Sequence, residues 1–291
     1  MIISASRKTD LPAFYSEWFV NRLRAGYCMM RNAYNGKEHR VELGSGHVVG
    51  FVFWTKDIRL LLPHLDEVRK VAPFMVQYTI NSYPIEIEPN VPRMPSIVSS
   101  AREIAERYGE HTLVWRYDPI FLSSLTTSDW HIVNFEQLAR ELSSATNEVV
   151  ISFAQGYRKT VKNVRLAMEK HSFEVIDPIE REDKRKLLHE MLKIARHYKL
   201  KLSVCSQPEV HIEGVEQAHC ADAKRLSRIA GTQIDKAFQA TRKHCGCFES
   251  RDIGEYNTCC HDCIYCYATD SPEIADRRFK NHNPASEFLF E

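Results

Sequence analysis

The stretch "HVVGFVFWT" (47–55) is apolar along nearly its whole length and then gives way to "KDIRLLLPHLDEVRK" (56–70). So short and continuous an apolar run suits a strand buried on both faces, as in a parallel sheet. In the segment that follows, Ile58, Leu61, Leu62, Leu65 and Val68 fall on one helical face. The same alternation recurs along the chain. Strand-like runs stand at "MIISAS" (1–6), "FMVQYTI" (74–80), "HTLVWRY" (111–117), "EVVISFA" (148–154) and "KLSVCS" (201–206). Helical spacing returns between the last two, where Leu187, Leu188, Met191, Leu192 and Ala195 share a face. Strands alternating with helices argue for right-handed βα units in an α/β fold. Six such units predict an incomplete TIM-like (βα)6 barrel over residues 1–240. A cysteine-rich metal-binding segment over 241–291 is expected to pack on the barrel mouth.

The first connection is longer and contains "CMMRNAYNGKEHRVEL" (28–43), in which Asn35-Gly36 reads as a two-residue hairpin turn. Proline-rich "YPIEIEPNVPRMP" (83–95) reads as a loop running into a helix.

The 39 basic and 38 acidic side chains nearly cancel, so a globally basic nucleic-acid coat is unsupported. The start, "MIISASRKTDLP", lacks a basic leader followed by an apolar run, and "VVGFVFW" is far too short to span a bilayer. A cytoplasmic protein with no membrane partner is expected. No glycine-rich phosphate loop, dinucleotide fingerprint or nucleophile elbow is present.

In βα barrels the reactive residues collect where strands end. Here those ends are polar. The first run leads into Ser4, Ser6, Arg7 and Asp10, the second into Lys56, and the third into Thr79 and Asn81. The fourth gives Arg116 and Asp118, and the fifth Ser152, Gln155 and Tyr157. Exposure alone accounts for many polar strand ends. Lys56, Arg116 and Asp118 follow or interrupt aromatic strands, and a charge enclosed there needs a partner or a ligand. These three are the candidate catalytic residues. Arg7, Asp10, Thr79 and Gln155 are the candidate cofactor-binding residues.

Of nine cysteines, only Cys28 lies in the first two hundred residues. Clustered thiols in a reducing compartment point to metal binding or catalysis. In "TCCHDCIYCYA" (258–268), Cys259, Cys263 and Cys266 are spaced to hold three irons of a [4Fe–4S] cube, leaving one iron open for chemistry. Cys260 offers a rival register. Cys205, Cys220, Cys245 and Cys247 number enough for a second site holding zinc or another iron–sulfur cluster, although Cys205 and Cys220 also suit plain burial as small hydrophobes. Tyr256, Tyr265 and Tyr267 surround the cluster loop and are expected to shield it from water.

The motif Cys259-x3-Cys263-x-Tyr265-Cys266-Tyr267-Ala268 resembles the cluster loop of radical S-adenosylmethionine enzymes, especially the spore-photoproduct-lyase-like branch. The set "IISASRKTDLPAFY", "FWTKD", "QYTINSY", "WRYDPI", "ISFAQGY" and "CGCFESRDIGEYNTC" is similar to domain-of-unknown-function family eighteen forty-eight. The resemblance implies a barrel-type fold, an iron–sulfur cluster and S-adenosylmethionine as a possible cofactor. Two departures stand out: the cluster loop follows the last strand instead of the first, and "FWTKD" replaces the Gly-Gly-Glu-like stretch after the second strand. The expectation is an iron–sulfur enzyme acting on a small-molecule or nucleotide-like substrate, with a flavodoxin or ferredoxin as electron donor. A metal-stabilised nucleic-acid-binding module and an electron-transfer protein are the alternatives.

Overall fold

The computed structural model describes residues 1–32, 35–156, 158–176 and 179–290. Strand β1 (Ile2–Ala5) leads into helices α1 (Leu11–Phe14) and α2 (Ser16–Ala25), then into a separate antiparallel hairpin of β2 (Tyr27–Arg31) and β3 (Glu38–Glu42). Strand β4 (Gly50–Thr55) is followed by α3 (Leu65–Val71), β5 (Phe74–Thr79) by α4 (Met94–Tyr108), and β6 (Leu113–Ile120) by α5 (Ser128–Leu142). Strand β7 (Glu148–Phe153) precedes α6 (Arg158–His171) and α7 (Arg181–His197). The chain ends with β8 (Lys201–Val204), β9 (Glu216–Gln217), α8 (Ala223–Ala230), β10 (Ser250–Asp252) and α9 (Pro272–Lys280).

The main sheet has the order β10-β1-β4-β5-β6-β7-β8-β9, and neighbouring strands pair in parallel throughout. All six predicted runs are strands of it. Its strand count is eight and not six, because β9 and β10 add edges of two and three residues, too short to leave an apolar run. Strand β10 comes from the cysteine-rich segment, so that segment is woven into the sheet beside β1. The hairpin is present, but its connection runs from Asn32 to Lys37, closed by the Lys37 carbonyl accepting from Asn32 N, instead of a two-residue turn. Residues 33–34, Tyr157 and residues 177–178 lie outside the described residues. Among the described residues no helix is long and apolar enough to cross a membrane.

Period-two alternation explains why the runs are apolar throughout. Ile3, Phe51, Phe53, Val76, Tyr78, Trp115, Tyr117, Val149 and Ile151 pack in the large core with the helices. Their neighbours Ile2, Val52, Met75, Val114 and Val150 face the other way and form a second cluster with Leu226 of α8. Helix α8 lies so close to the sheet there that a Cβ on Gly50 would meet the Leu226 side chain at 2.6 Å. Two residues further along each strand, this second face turns polar with Ser4, Trp54, Gln77, Arg116 and Ser152.

Helix α8 is fixed at the opposite, amino-terminal end of the strands. Its N-cap, Asp222, accepts from the Lys224 and Arg225 amides at 2.9 and 3.1 Å. Arg225 then reaches Glu148 at 2.8 Å, the Leu113 carbonyl at 3.0 Å and Asn147 at 2.7 Å, while Ser203 donates to the other Glu148 oxygen at 2.9 Å. The pair is almost fully buried, with side-chain exposures of 6% and 12%. Arg225→Met strands the Glu148 charge and is expected to lower stability by about 3–5 kcal/mol in chemical denaturation. Glu148→Gln added to it should recover part of that loss, and a single-variant loss of less than about 1 kcal/mol would contradict the clamp.

Candidate cofactor site at the carboxyl ends of the strands

Residues 253–268 leave β10 at the same end of the sheet where β1, β4 and β5 finish. Asp10, the N-cap of α1, fastens this loop. Its Oδ1 accepts from Ala13 N at 3.0 Å, and its Oδ2 accepts from Lys56 N at 2.7 Å and lies 2.7 Å from His261 Nε2. The other nitrogen of His261 is 3.2 Å from the Asn90 carbonyl, so both ring nitrogens of this buried side chain face acceptors. Asn90 Nδ2 donates to the Cys260 carbonyl at 3.0 Å, and Tyr15 donates to the Thr258 carbonyl at 2.7 Å. Asp10 is therefore a fastening residue whose acceptors are taken up by the protein. His261 has the same role and is no metal-facing ligand here.

Held this way, the three predicted cluster cysteines come together. Cys263 is buried and interacts through space with both Cys259 and Cys266, and Cys259 with Cys266. Backbone amides turn toward the sulfurs: Asp10 and His261 at Cys259, and Ala268 N at 3.4 Å from Cys266 Sγ. Burial pushes the Cys259 and Cys263 thiols well above their ordinary range, while the Lys56 ammonium pulls Cys263 the other way. Cys260 points elsewhere, toward Asp276 of α9. Cys259, Cys263 and Cys266 are thus near enough on one loop to feel one another's charge, while Cys260 turns toward α9.

Lys56 does have a partner. Its Nζ lies 2.7 Å from Glu88 Oε1 and 3.0 Å from the Tyr265 hydroxyl, and Tyr265 also donates to Glu88. Asn81 Nδ2 donates to Glu88 at 3.0 Å and to the Asp118 carbonyl at 3.3 Å, and Asn81 Oδ1 accepts from Asp118 N at 3.0 Å. Arg116 pairs with Asp118, which also accepts from Ser152, and its guanidinium lies 5.2 Å over the Trp54 ring. The three candidate catalytic residues therefore belong to one polar network bridged by Asn81. Asn81 is one of the polar strand-end residues of the sequence, and Glu88 is the unforeseen member, in a proline-rich loop that carried no signal for it.

The candidate cofactor residues scatter. Arg7 Nη2 donates to Ser250 Oγ at 2.8 Å and its Nε lies 3.7 Å from Asp252, whereas its Nη1 is buried with no acceptor among the described residues. Thr79 lines a cavity of about 60 Å³ with Asn81, Tyr83, Glu88 and Met94, room for water but not for an organic ligand. Gln155 is exposed beyond β7. Tyr265 is enclosed in the network, but Tyr256 and Tyr267 are 38% and 46% exposed and give the loop little shielding.

The second cysteine set also converges, on the other side of Arg116. Cys205 Sγ stands 3.7 Å from Cys220 Sγ, and both are buried in one cluster with Cys247, against which Cys245 packs. Among the described residues, no group of three or more His, Cys, Asp or Glu side chains is placed, as it stands, to hold a metal ion.

A family model for a domain of unknown function (DUF1848) matches residues 2–268. The chain belongs to the DUF1848 family. Comparison with curated proteins finds no match. Among solved structures, the crystal structure of dihydropyrimidinase from Brevibacillus agri NCHU1002 is matched at 9% identity and a TM-score of 0.30. That match covers 75% of this chain and 39% of the other, and a likeness so loose carries no argument.

The Lys56–Glu88 pair gives this DUF1848 site a pH signature. Burial alone would raise Glu88; Lys56, helped by Tyr265 and Asn81, outweighs it and holds the carboxyl below its ordinary 4.5. A depressed carboxyl contributes stability above its unfolded value that is lost as pH falls through the folded one, so the native protein should lose this contribution only in acid. In Lys56→Met the buried carboxyl is unpaired and its pKa rises, so stability should fall as pH climbs from about 5 to 8, by about 3–5 kcal/mol at the upper end. Urea midpoints at the two pH values test this, and equal losses at both would contradict it.

Proposed function

We propose that this protein is an iron–sulfur enzyme of radical S-adenosylmethionine type, built on an open TIM-like barrel whose polar mouth receives the substrate. The observation that carries the reading is the convergence of Cys259, Cys263 and Cys266 over the carboxyl ends of β1, β4 and β5, with amide donors aimed at two of the sulfurs. Three converging thiols with no fourth ligand from the loop fit a [4Fe–4S] cluster with one iron free of protein. When bound, such a cluster supplies one-electron chemistry at that iron.

The chain's own groups bind and orient. Lys56 sets a positive charge beside Cys263, favouring the thiolate that binds iron. Tyr265 and Asn81 keep the Lys56–Glu88 pair rigid. Arg7 Nη1 is a buried donor with no acceptor among the described residues and would meet an anionic group of the cofactor or substrate. Electrons come from a flavodoxin- or ferredoxin-like donor in the cytoplasm.

Anaerobically reconstituted protein is expected to be brown, with about four irons and four sulfides per chain. Serine at Cys259, Cys263 or Cys266 should abolish the colour, whereas Cys260→Ser should keep it. Reduced protein should convert S-adenosylmethionine to methionine and 5′-deoxyadenosine. A protein that stays colourless overturns the reading, and a brown protein that leaves S-adenosylmethionine intact overturns its radical half.

A further inference from the structure

The four thiols outside the cluster loop differ from it in spacing, position and counter-charge. Four sulfurs bound at ~2.3 Å around one tetrahedral metal stand ~3.8 Å from each other. The Cys205–Cys220 separation is 3.7 Å, Cys247 is buried in the same cluster, and Cys245 packs against it. A disulfide needs ~2.05 Å. Cysteines on separate irons of a cube stand much farther apart than these. The spacing suits one ion.

Position points the same way. Cys205 directly follows β8, near one edge of the sheet, while Cys245 and Cys247 lead into β10, the other edge. Among the described residues no ladder joins the two edges. Cys205, Cys220 and Cys247 pack instead with Ile2, Val52 and Val150 inside the concave face. The thiol-bearing segments are tied by Phe248 N to the Ala221 carbonyl and Ala218 N to the Val204 carbonyl, both at 2.9 Å, by Gln217 Nε2 to the His244 carbonyl at 2.9 Å, and by a 2.6 Å contact of His219 Nδ1 with the Gly246 carbonyl.

Counter-charge is the third observation. Arg116 Nη1 donates to Cys220 Sγ at 3.1 Å, and Arg242 Nη2 donates to Cys205 Sγ at 3.1 Å. Asp118 pairs with Arg116 and also attracts Arg242, so it accounts for one of these two positive charges. Neutral thiols are weak acceptors, whereas four thiolates around a divalent ion carry a net charge of minus two and accept strongly from both guanidiniums.

We infer that Cys205, Cys220, Cys245 and Cys247 bind a single zinc ion that pins the two open edges of the sheet together, with Arg116 and Arg242 as its outer-sphere donors. On ion binding, each ligand thiol gives up its proton to solvent and no electron is transferred. Arg116 is then a positioning residue shared between this ion and Asp118, not a group that touches substrate. The inference stands whether or not the other three cysteines hold a cluster.

The test uses the full chain carrying Cys259→Ala, Cys263→Ala and Cys266→Ala, which removes the other thiol set. Chelator-stripped protein is titrated with Co²⁺ alone. One equivalent should bind, with intense sulfur-to-cobalt charge-transfer absorption and the visible bands of a tetrahedral site, and one equivalent of Zn²⁺ should bleach both. Adding Cys245→Ser and Cys247→Ser should abolish the bands. Arg242 is exposed, so Arg242→Met leaves the fold intact and is expected to weaken Co²⁺ binding by about tenfold or more. Absence of thiolate–cobalt bands, their survival without Cys245 and Cys247, a Cys205–Cys220 disulfide under reducing conditions, or iron with sulfide in the triple variant would each overturn the inference. Zinc bound here in a protein that never turns brown overturns the cluster reading alone.

Discussion

Three elements distant in sequence meet at the Asp10 carboxylate. It caps α1, accepts the Lys56 amide at the end of β4 and holds His261 of the cysteine loop. A buried carboxylate must be satisfied at every lone pair or it drives the chain apart, and Asp10 meets that requirement only if the loop docks. The fastening is thus cooperative. Without His261 the acceptor side of Asp10 is incomplete, and without Asp10 nothing aligns Cys259 with its amide donors.

Charge then divides the cysteines into two kinds. The loop thiols face one ammonium and several backbone amides, which favour the thiolate but are outweighed by the burial that keeps Cys259 and Cys263 protonated. The remaining four face two guanidiniums and an apolar layer, an environment that suits a closed site. Arg116 stands at the boundary, touching Cys220 on one side and Asp118 on the other. Its enclosure between aromatic strand residues was visible in the sequence, but what it pairs with depends on a cysteine more than one hundred residues away, which no local pattern encodes.

The same division governs what could be read from residues alone. The six long strands were legible because burial on both faces leaves no polar positions to interrupt them. Strands β9 and β10 were not, since two or three residues such as Glu216–Gln217 carry no periodicity. Thiol density is what set Cys259, Cys263 and Cys266 apart in the sequence. Glu88 and Arg242 were illegible because each acquires its role only through a partner brought in by the fold. Asp10 was singled out for the right reason, a charge at a strand end, but its oxygens are spent on the protein's own donors.

Sheet topology also explains why the cysteine loop can come last in the chain. Strand β10 runs parallel to β1 with Ser4 opposite Asp252, so residues after 252 emerge beside those after Ala5. Asp252 binds Ser4, Ser6 and the Arg7 amide at 2.8 Å each, which locks the two exits together. A loop grafted after β10 therefore reaches the same end of the sheet as a loop placed after β1. Chain order and spatial order have come apart, and the loop still lies at the carboxyl ends of β1, β4 and β5.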